Sequence, residues 1–498
     1  MKNLAKPVTF TGRIKTGPDD LLHEEILKPQ FDYESEYYLP WYILIEKALL
    51  VEYKRMGLIE GKVTHEINNI LNEITKENLI GDPKLNMTDI SFAIEQYVEQ
   101  RVKGNAYAWH VDKSRNDFQA CAQIMFGREQ IFETIHLLQC FADTVYNLAN
   151  KTTMIPMPGY THYQAAQIIS PGFYLSSIYE QLIKSMYGLL NIFDRLNKCP
   201  LGAGAMAGQE LDWDRNNMAY VLGFDDAQRH ALVSVASREW TVLVAGELSN
   251  LSMILSRFVT DLIQWGSSEY GFIDLPDQLS GISSIMPQKK NFPVLERIRA
   301  RTAHVSAFYI DFIMGQRNTS FTNLVEVSKE AGTYVINMFK TIQSVLKLFT
   351  AVIDNLKFNE ERMQIVCKSK YFGGSSLANL LTLHGKIPYR KAQVIAGKYI
   401  KTLLDRNFAS QQVDIELLSA ICKDYGFEIN LTYDMVSAAF NYINNLHDKT
   451  TRGAASNQSV IKMLNEQKLE YEKICFAWKE RGLKIEEANK KLESLLLA

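Results

Sequence analysis

The chain is poor in the features that mark several protein classes. Its six cysteines, at positions 121, 140, 199, 367, 422 and 475, form no CxxC pair. That leaves neither a disulfide framework nor a zinc site to read and suits reduced thiols. Net charge is −2, with 54 Lys and Arg against 56 Asp and Glu. The balance gives no polyanion-binding surface, so nucleic acid is not an expected partner. Uninterrupted apolar runs of about 18 residues are missing, and the opening MKNLAKPVTFTGRIKTG has no long apolar core. Neither a membrane span nor a secretory leader is expected, and cytoplasm is the expected compartment. Alternating strand patterns bounded by tight-turn dipeptides are absent too. What remains is an ordinary globular composition, 47% hydrophobic and 22% charged over 498 residues, enough for about two to four domains.

Helical periodicity fills most of that length. Residues 1–40 are broken by Pro7, Gly12, Gly17, Pro18, Pro29 and Pro40 and read as an extended arm with room for one short helix. Helical character begins at Trp41. Thr88 is the expected N-cap of an amphipathic run to about Val102, which Gly104 closes. Within 119–150 the residues Ile124, Ile131, Ile135, Leu138, Val145 and Leu148 share one face. The cleanest pattern is Val244, Leu248, Leu251, Leu255, Phe258, Leu262 and Trp265, spaced 4-3-4-3-4-3. Such a heptad seam demands other long helices to pack against. Weaker stripes run over 293–314 and 328–350, and the tail from Val460 to Leu497 is helical with one charged face. The expected fold is all-α in three helical domains: 1–113 with the arm, 114–365 as a central bundle, and 366–498 beyond a junction at Tyr371-Phe-Gly-Gly-Ser-Ser376.

Four polar segments interrupt the helices. Gly281-Ile-Ser-Ser-Ile-Met-Pro-Gln-Lys-Lys-Asn291 combines two adjacent hydroxyls, a proline, two lysines and an amide. Glycine and proline keep it from a regular element, so it reads as a mobile loop able to bring a hydroxyl and a fixed positive charge to a small anion; a plain solvated loop is the bland alternative. Ser114-Arg-Asn116, just before a long helix, supplies a hydroxyl, a guanidinium fork and an amide, a set suited to a carboxylate. An ordinary N-cap beside a solvated arginine has the same spelling. Thr161-His162 follows Pro158-Gly159, on a turn or helix start, and imidazole is the natural acid/base group near neutral pH; Glu296 would orient it if the fold brings them together. Gly202, Gly204 and Gly208 lack the preceding strand and the GK[ST] of a phosphate loop, which leaves close backbone packing.

These segments, in their order along the chain, resemble argininosuccinate lyases of the fumarase/aspartase superfamily. Ser283-Ser-Ile-Met-Pro-Gln-Lys-Lys-Asn291 is similar to the superfamily signature. Met157-Pro-Gly-Tyr-Thr-His-Tyr-Gln-Ala-Ala-Gln167, Pro200-Leu-Gly-Ala-Gly-Ala-Met-Ala-Gly208, Lys113-Ser-Arg-Asn-Asp117 and Thr451-Arg-Gly453 match further motifs, and the likeness covers about 85–460. The resemblance implies a homotetramer whose central five-helix bundles form a twenty-helix core, with each active site shared by three subunits. It implies an anti β-elimination releasing fumarate from a succinyl-amine, argininosuccinate by default; the sequence shows no metal-ligand cluster, and neither cofactor nor metal is expected. Ser283 would be the base, Lys289 and Asn291 would meet the aci-carboxylate charge, and His162 with Glu296 would serve the leaving nitrogen or bind substrate. Ser114, Arg115, Asn116 and Thr161 would hold carboxylates. A serine is a poor base unless its alkoxide is stabilised by backbone donors in a desolvated loop.

The chain departs from the family pattern on the leaving-group side. HTGRSRND reads His110-Val-Asp-Lys-Ser-Arg-Asn-Asp117, changing positions 111 and 112 to Val111 and Asp112. SVSDRD reads Ser234-Val-Ala-Ser-Arg-Glu239, losing an aspartate at Ser237 and keeping Arg238. The amine-side segment carries Phe321 for tyrosine and Glu326 for glutamine while keeping Lys329. The expectation is a fumarate-forming C–N lyase in which Arg238, Glu326 and Lys329 contact substrate and the amine product is altered. A different aspartate-derived or succinyl-amine substrate, or an inactive structural homologue, is the alternative.

Overall fold

The computed structural model describes residues 13–497; the opening residues, with Pro7 and Gly12, lie outside them. Helix starts at Asp20, so the expected arm is helical over most of its described length. Helix α1 (Lys28–Tyr37) takes Pro29 at its first turn, where proline costs no hydrogen bond, and α2 (Leu39–Arg55) takes Pro40 likewise. The next correction is at residue 89. Asp89, not Thr88, caps the helix Ile90–Glu99, accepting from the N–H groups of Ser91 and Phe92, while Thr88 sits at φ 54.

Five helices make the bundle. After α3 (Arg115–Lys151) comes a hairpin of β1 (Met157–Thr161) and β2 (Gln164–Ile169), then α4 (Pro171–Leu196), α5 (Glu239–Trp265), α6 (Pro293–Gln316) and α7 (Val335–Asp354). Neighbours pack in a closed ring, α3 on α4, α4 on α5, α5 on α6, α6 on α7 and α7 back on α3. Every residue of the heptad seam on α5 is buried, so period and packing agree. Phe258 stacks on Phe349 of α7 at 4.8 Å between ring centres, and Phe349 meets Phe141 of α3 at 5.0 Å. The fold is all-α, as expected, with the hairpin its one sizeable β element among the described residues.

Two helical stretches, Glu239–Trp265 and Val325–Asp354, are apolar and long enough by length and composition to cross a membrane. Charged Glu247, Arg257 and Asp261 interrupt the first, and the bundle ring encloses its seam. The tail is helical as expected: α8 (Asn457–Leu497) packs on α4, α2 and α3, with Trp478 between Phe132 and Phe193. A separate small core of Leu377, Leu381, Ile395, Tyr399, Leu418, Val436 and Phe440 holds the helices before it.

Helix α3 alone has 37 residues and, at about 1.5 Å per residue, reaches roughly 55 Å. The bundle therefore has two distant poles. At one lie the start of α3, the start of α5 and the end of α6, tied where Arg238 donates to Gln123 and Gln316 donates to Thr241. At the other lie the hairpin, the end of α5 and the start of α6, where Tyr160 meets Tyr270 at 5.4 Å. One face of α6 stays uncovered: Glu296, Ala300, Ala303, Ala307, Ile310 and Met314, again stepping 4-3-4-3-4, are exposed.

Candidate active site

The first pole carries the carboxylate set. Ser114 caps α3, its Oγ accepting from the Asn116 N–H at 3.2 Å, so hydroxyl, guanidinium and amide gather at a helix N-terminus, where unpaired N–H groups favour an anion. Arg115 donates to Asp89 at 2.9 Å and remains 54% exposed. Asn116 donates to the Ala205 carbonyl at 3.0 Å, bringing the glycine loop alongside. Beneath lies a buried charge cluster: Glu46 accepts from Lys113 at 2.7 Å and pairs with His110 at 2.8 Å. Burial works to raise the Glu46 carboxyl, but the neighbouring His110 and Lys113 outweigh it and hold it below its ordinary range.

Two aspartates that the motif comparison leaves without a role build the walls. Buried Asp117 accepts from the N–H groups of Gly202 and Gly204 at 2.9 and 3.0 Å, which fixes the glycine loop; burial pushes its carboxyl up to about 6 against these donors. Both glycines have positive φ, 83 and 62, so side chains there would be strained. Asp112, one of the departures, accepts from the N–H groups of Glu210 and Leu211 and from the Trp213 indole at 2.9 to 3.0 Å. The substitution thus pins the next loop. The triple role of one carboxylate facing three donors has no signal in a single sequence.

The amine-side residues occupy the same pole but are largely spoken for. Arg238 is buried, donating to Gln123 at 2.7 Å and to the carbonyls of Val235 and Ser237 at 2.9 Å. Its Nη2 has no partner among the described residues, and burial lowers its pKa to about 10. Lys329 is 2.5 Å from Glu34 Oε1. Glu326 and Phe321 face outward.

The second pole carries the chemistry expected of base and acid. His162 and Tyr163, at φ 52 and 59, form the two-residue turn of the hairpin, with Thr161 paired to Gln164. So His162 stands on a β-turn, not on a helix start, and is exposed with Thr161. Behind it a cavity of about 420 Å³ is lined by Tyr160, Tyr174, Arg257, Asp261 and Trp265 among others. Gly281 and Asn291 exchange backbone hydrogen bonds of 2.8 and 3.0 Å, closing the 282–290 loop at its base. Ile282 and Ile285 on the loop are 95% and 82% exposed.

Within that loop the Ser283 Oγ accepts the Met286 N–H at 3.1 Å. A backbone donor already aimed at the hydroxyl oxygen is what a serine alkoxide needs. Lys290 is anchored to Asp274 at 2.9 Å and to the Leu275 carbonyl, whereas Lys289 is exposed and makes no ion pair among the described residues. Glu296 lies exposed in the first turn of α6. One protomer shows no His162–Glu296 contact among the described residues, and Ser283 stands a bundle length from Arg115. The described residues hold no group of three or more His, Cys, Asp or Glu able to bind a metal.

The lyase family model matches residues 54–306. The chain is 30% identical over 448 residues to argininosuccinate lyase of Thermoanaerobacter sp. (strain X514), covering 90% of this chain and 98% of that one. It is 27% identical over 462 residues to argininosuccinate lyase 1 of Shouchella clausii (strain KSM-K16), covering 92% of each. In fold it is similar to the crystal structure of EDDS lyase in complex with formate, with a TM-score of 0.84 at 23% identity over 98% of this chain and 97% of that one.

Proposed function

Because this chain belongs to the lyase family of the fumarase/aspartase superfamily and is a carbon–nitrogen lyase related to argininosuccinate lyases, we propose that it releases fumarate from an N-succinyl amine by anti β-elimination. Ser283, its oxygen held by the Met286 N–H, takes a proton from the carbon beside a carboxylate. The electron pair passes into that carboxylate as an aci-anion, and Lys289 and Asn291 offset the charge. Collapse forms the carbon–carbon double bond and expels the amine, whose nitrogen receives a proton from the His162 side. Ser114, Arg115, Asn116 and Thr161 hold the carboxylates that become those of fumarate. The observation carrying this reading is the Met286 N–H on Ser283 inside a loop closed by Gly281 and Asn291.

The same proposal requires a homotetramer. Residues for one reaction stand at opposite poles of one protomer, so a site needs poles from different copies. The uncovered seam on α6, with alanines bounded by Ile310 and Met314, is a heptad face suited to a second copy of the chain. Domain limits of 1–113, 114–365 and 366–498 remain our division, with α8 returning to the bundle.

The test is fumarate release from argininosuccinate and from other N-succinyl amines. Release that disappears in Ser283→Ala supports the mechanism, and full activity in that variant would sink it. Ordinary turnover of argininosuccinate would refute an altered amine pocket while leaving the elimination standing.

A further inference from the structure

Beside the carboxylate pole lies a second cavity of about 260 Å³, lined by Glu25, Tyr33, Glu34, Tyr38, Gln123 and Lys329 among others. Its position ties it to the site. Gln123, on α3 two turns beyond Arg115, donates to the Ser328 carbonyl at 2.8 Å and accepts from Arg238 at 2.7 Å. Asp89, the partner of Arg115, is close enough to Glu34 to work against its ionisation. The cavity thus opens about two helical turns along α3 from Arg115, roughly 12 Å.

The charge in the cavity is arranged unusually. Lys329 is the one basic side chain in its wall, and Glu34, 4% exposed, holds it at 2.5 Å. Gln30 donates to the same Oε1 at 3.3 Å. Glu25 and Glu330 add two more carboxylates at the mouth. The Tyr33 hydroxyl, also in the wall, is buried without a partner among the described residues. A carboxylate entering here would have to strip Lys329 from a buried partner and would face the other acids, a desolvation and like-charge cost together. An ammonium or guanidinium on an alkyl stem meets acids and aromatic faces instead.

Resting on the N-succinyl amine reading, we propose that Glu34 is a specificity-determining residue. It withdraws Lys329 from substrate, so that the amine released is a cationic amine without a carboxylate of its own. The step itself is the elimination already written, run in reverse for the assay: a neutral amine N–H adds across the fumarate double bond, so that one N–H bond and the π bond are lost as one C–N and one C–H bond form, with no oxidant or reductant.

The experiment follows fumarate consumption with three matched pairs that differ by one carboxylate: agmatine and arginine, putrescine and ornithine, cadaverine and lysine. For the wild-type chain the decarboxylated member of each reactive pair should have a kcat/KM at least tenfold higher. Glu34→Gln, which frees the Lys329 charge, should shrink that ratio at least tenfold, mainly by lowering KM for the amino acid. The wild-type comparison stands without the variant should Glu34→Gln fail to fold. Equal or better turnover of the carboxylated members would overturn the role of Glu34 and leave the lyase reading intact. No consumption of fumarate with any of the six would overturn both.

Discussion

Lys290 Nζ stands 2.9 Å from Asp274 Oδ1, while the preceding residue, Lys289, projects from the loop without an ion pair among the described residues. Adjacent lysines of the same motif thus have different tasks. Lys290 fastens the loop to the strand segment Ile273–Asp274, and Lys289 keeps the unpaired charge that the proposed mechanism turns to the substrate. Lys289→Met should lower kcat for fumarate release by roughly 10²- to 10³-fold with unchanged thermal unfolding. Lys290→Met should cost about tenfold or less, through loop placement. Steady-state kinetics on the pair decide it, and equal losses would reject the division.

Asp117 offers a stability test. In Asp117→Asn the amide N–H groups must face either the Gly202 and Gly204 donors, which share one carboxylate oxygen, or the Phe118 N–H on the other, leaving buried groups unpaired at a cost of about 2–4 kcal/mol. Denaturant melts should show the loss, and activity should fall with it as the glycine loop loosens.

The same carboxyl predicts a pH slope. Its folded pKa of about 6 lies above the ordinary carboxyl value, near 3.9, so between about 4 and 6 the folded chain binds a proton that the unfolded chain has released. This contribution to stability is full below the unfolded value and is lost as pH rises through about 6. Melts of the wild type from pH 4 to 7 should lose stability relative to Asp117→Asn across that window; a flat difference would show Asp117 ionised throughout.

Mixing inactive chains should restore activity. Arg115→Met damages one pole and Ser283→Ala the other, so each homogeneous assembly is dead by the proposed mechanism. Assemblies formed from both chains contain sites in which an intact first pole meets an intact second pole. Co-refolded mixtures should release fumarate well above either parent, and a dead mixture would place both residues of a site on one protomer.

The α6 face gives the complementary test. Ala303→Glu with Ala307→Glu leaves the buried stripe of that helix untouched. Sedimentation should show the assembly broken into smaller species, with helicity by circular dichroism retained and fumarate release lost. A variant that stays assembled and active would free that face from any interface.

How much of this was legible in the chain depends on the range of the interaction. The seam from Val244 to Trp265 could be read because a buried stripe writes its period into local sequence. Helix α4 carried the same kind of signal, with Ser170 as N-cap before Pro171 and Leu175, Tyr179, Leu182, Met186, Leu189 and Phe193 inside, yet the reading of polar motifs passes over it. The hairpin left little trace, since His162-Tyr163 replaces the Asn-Gly or Asp-Gly that a two-residue turn ordinarily uses. Thr88 looked like a cap by residue type, but Asp89 has the extended backbone that lets its carboxylate reach back to the helix. The motifs named the polar residues, and only coordinates separate Lys289 from Lys290. Glu34 and Lys329 are 295 positions apart, and no local pattern announces their contact.

A helix about 55 Å long between the two halves of a reaction centre has a further effect. In the proposed assembly each polypeptide works as a girder that lends its ends to different neighbours, so catalytic competence becomes a property of concentration as well as of folding. Diluted past the point where copies part, such an enzyme would fall silent with every helix still wound, and would recover its activity on crowding alone.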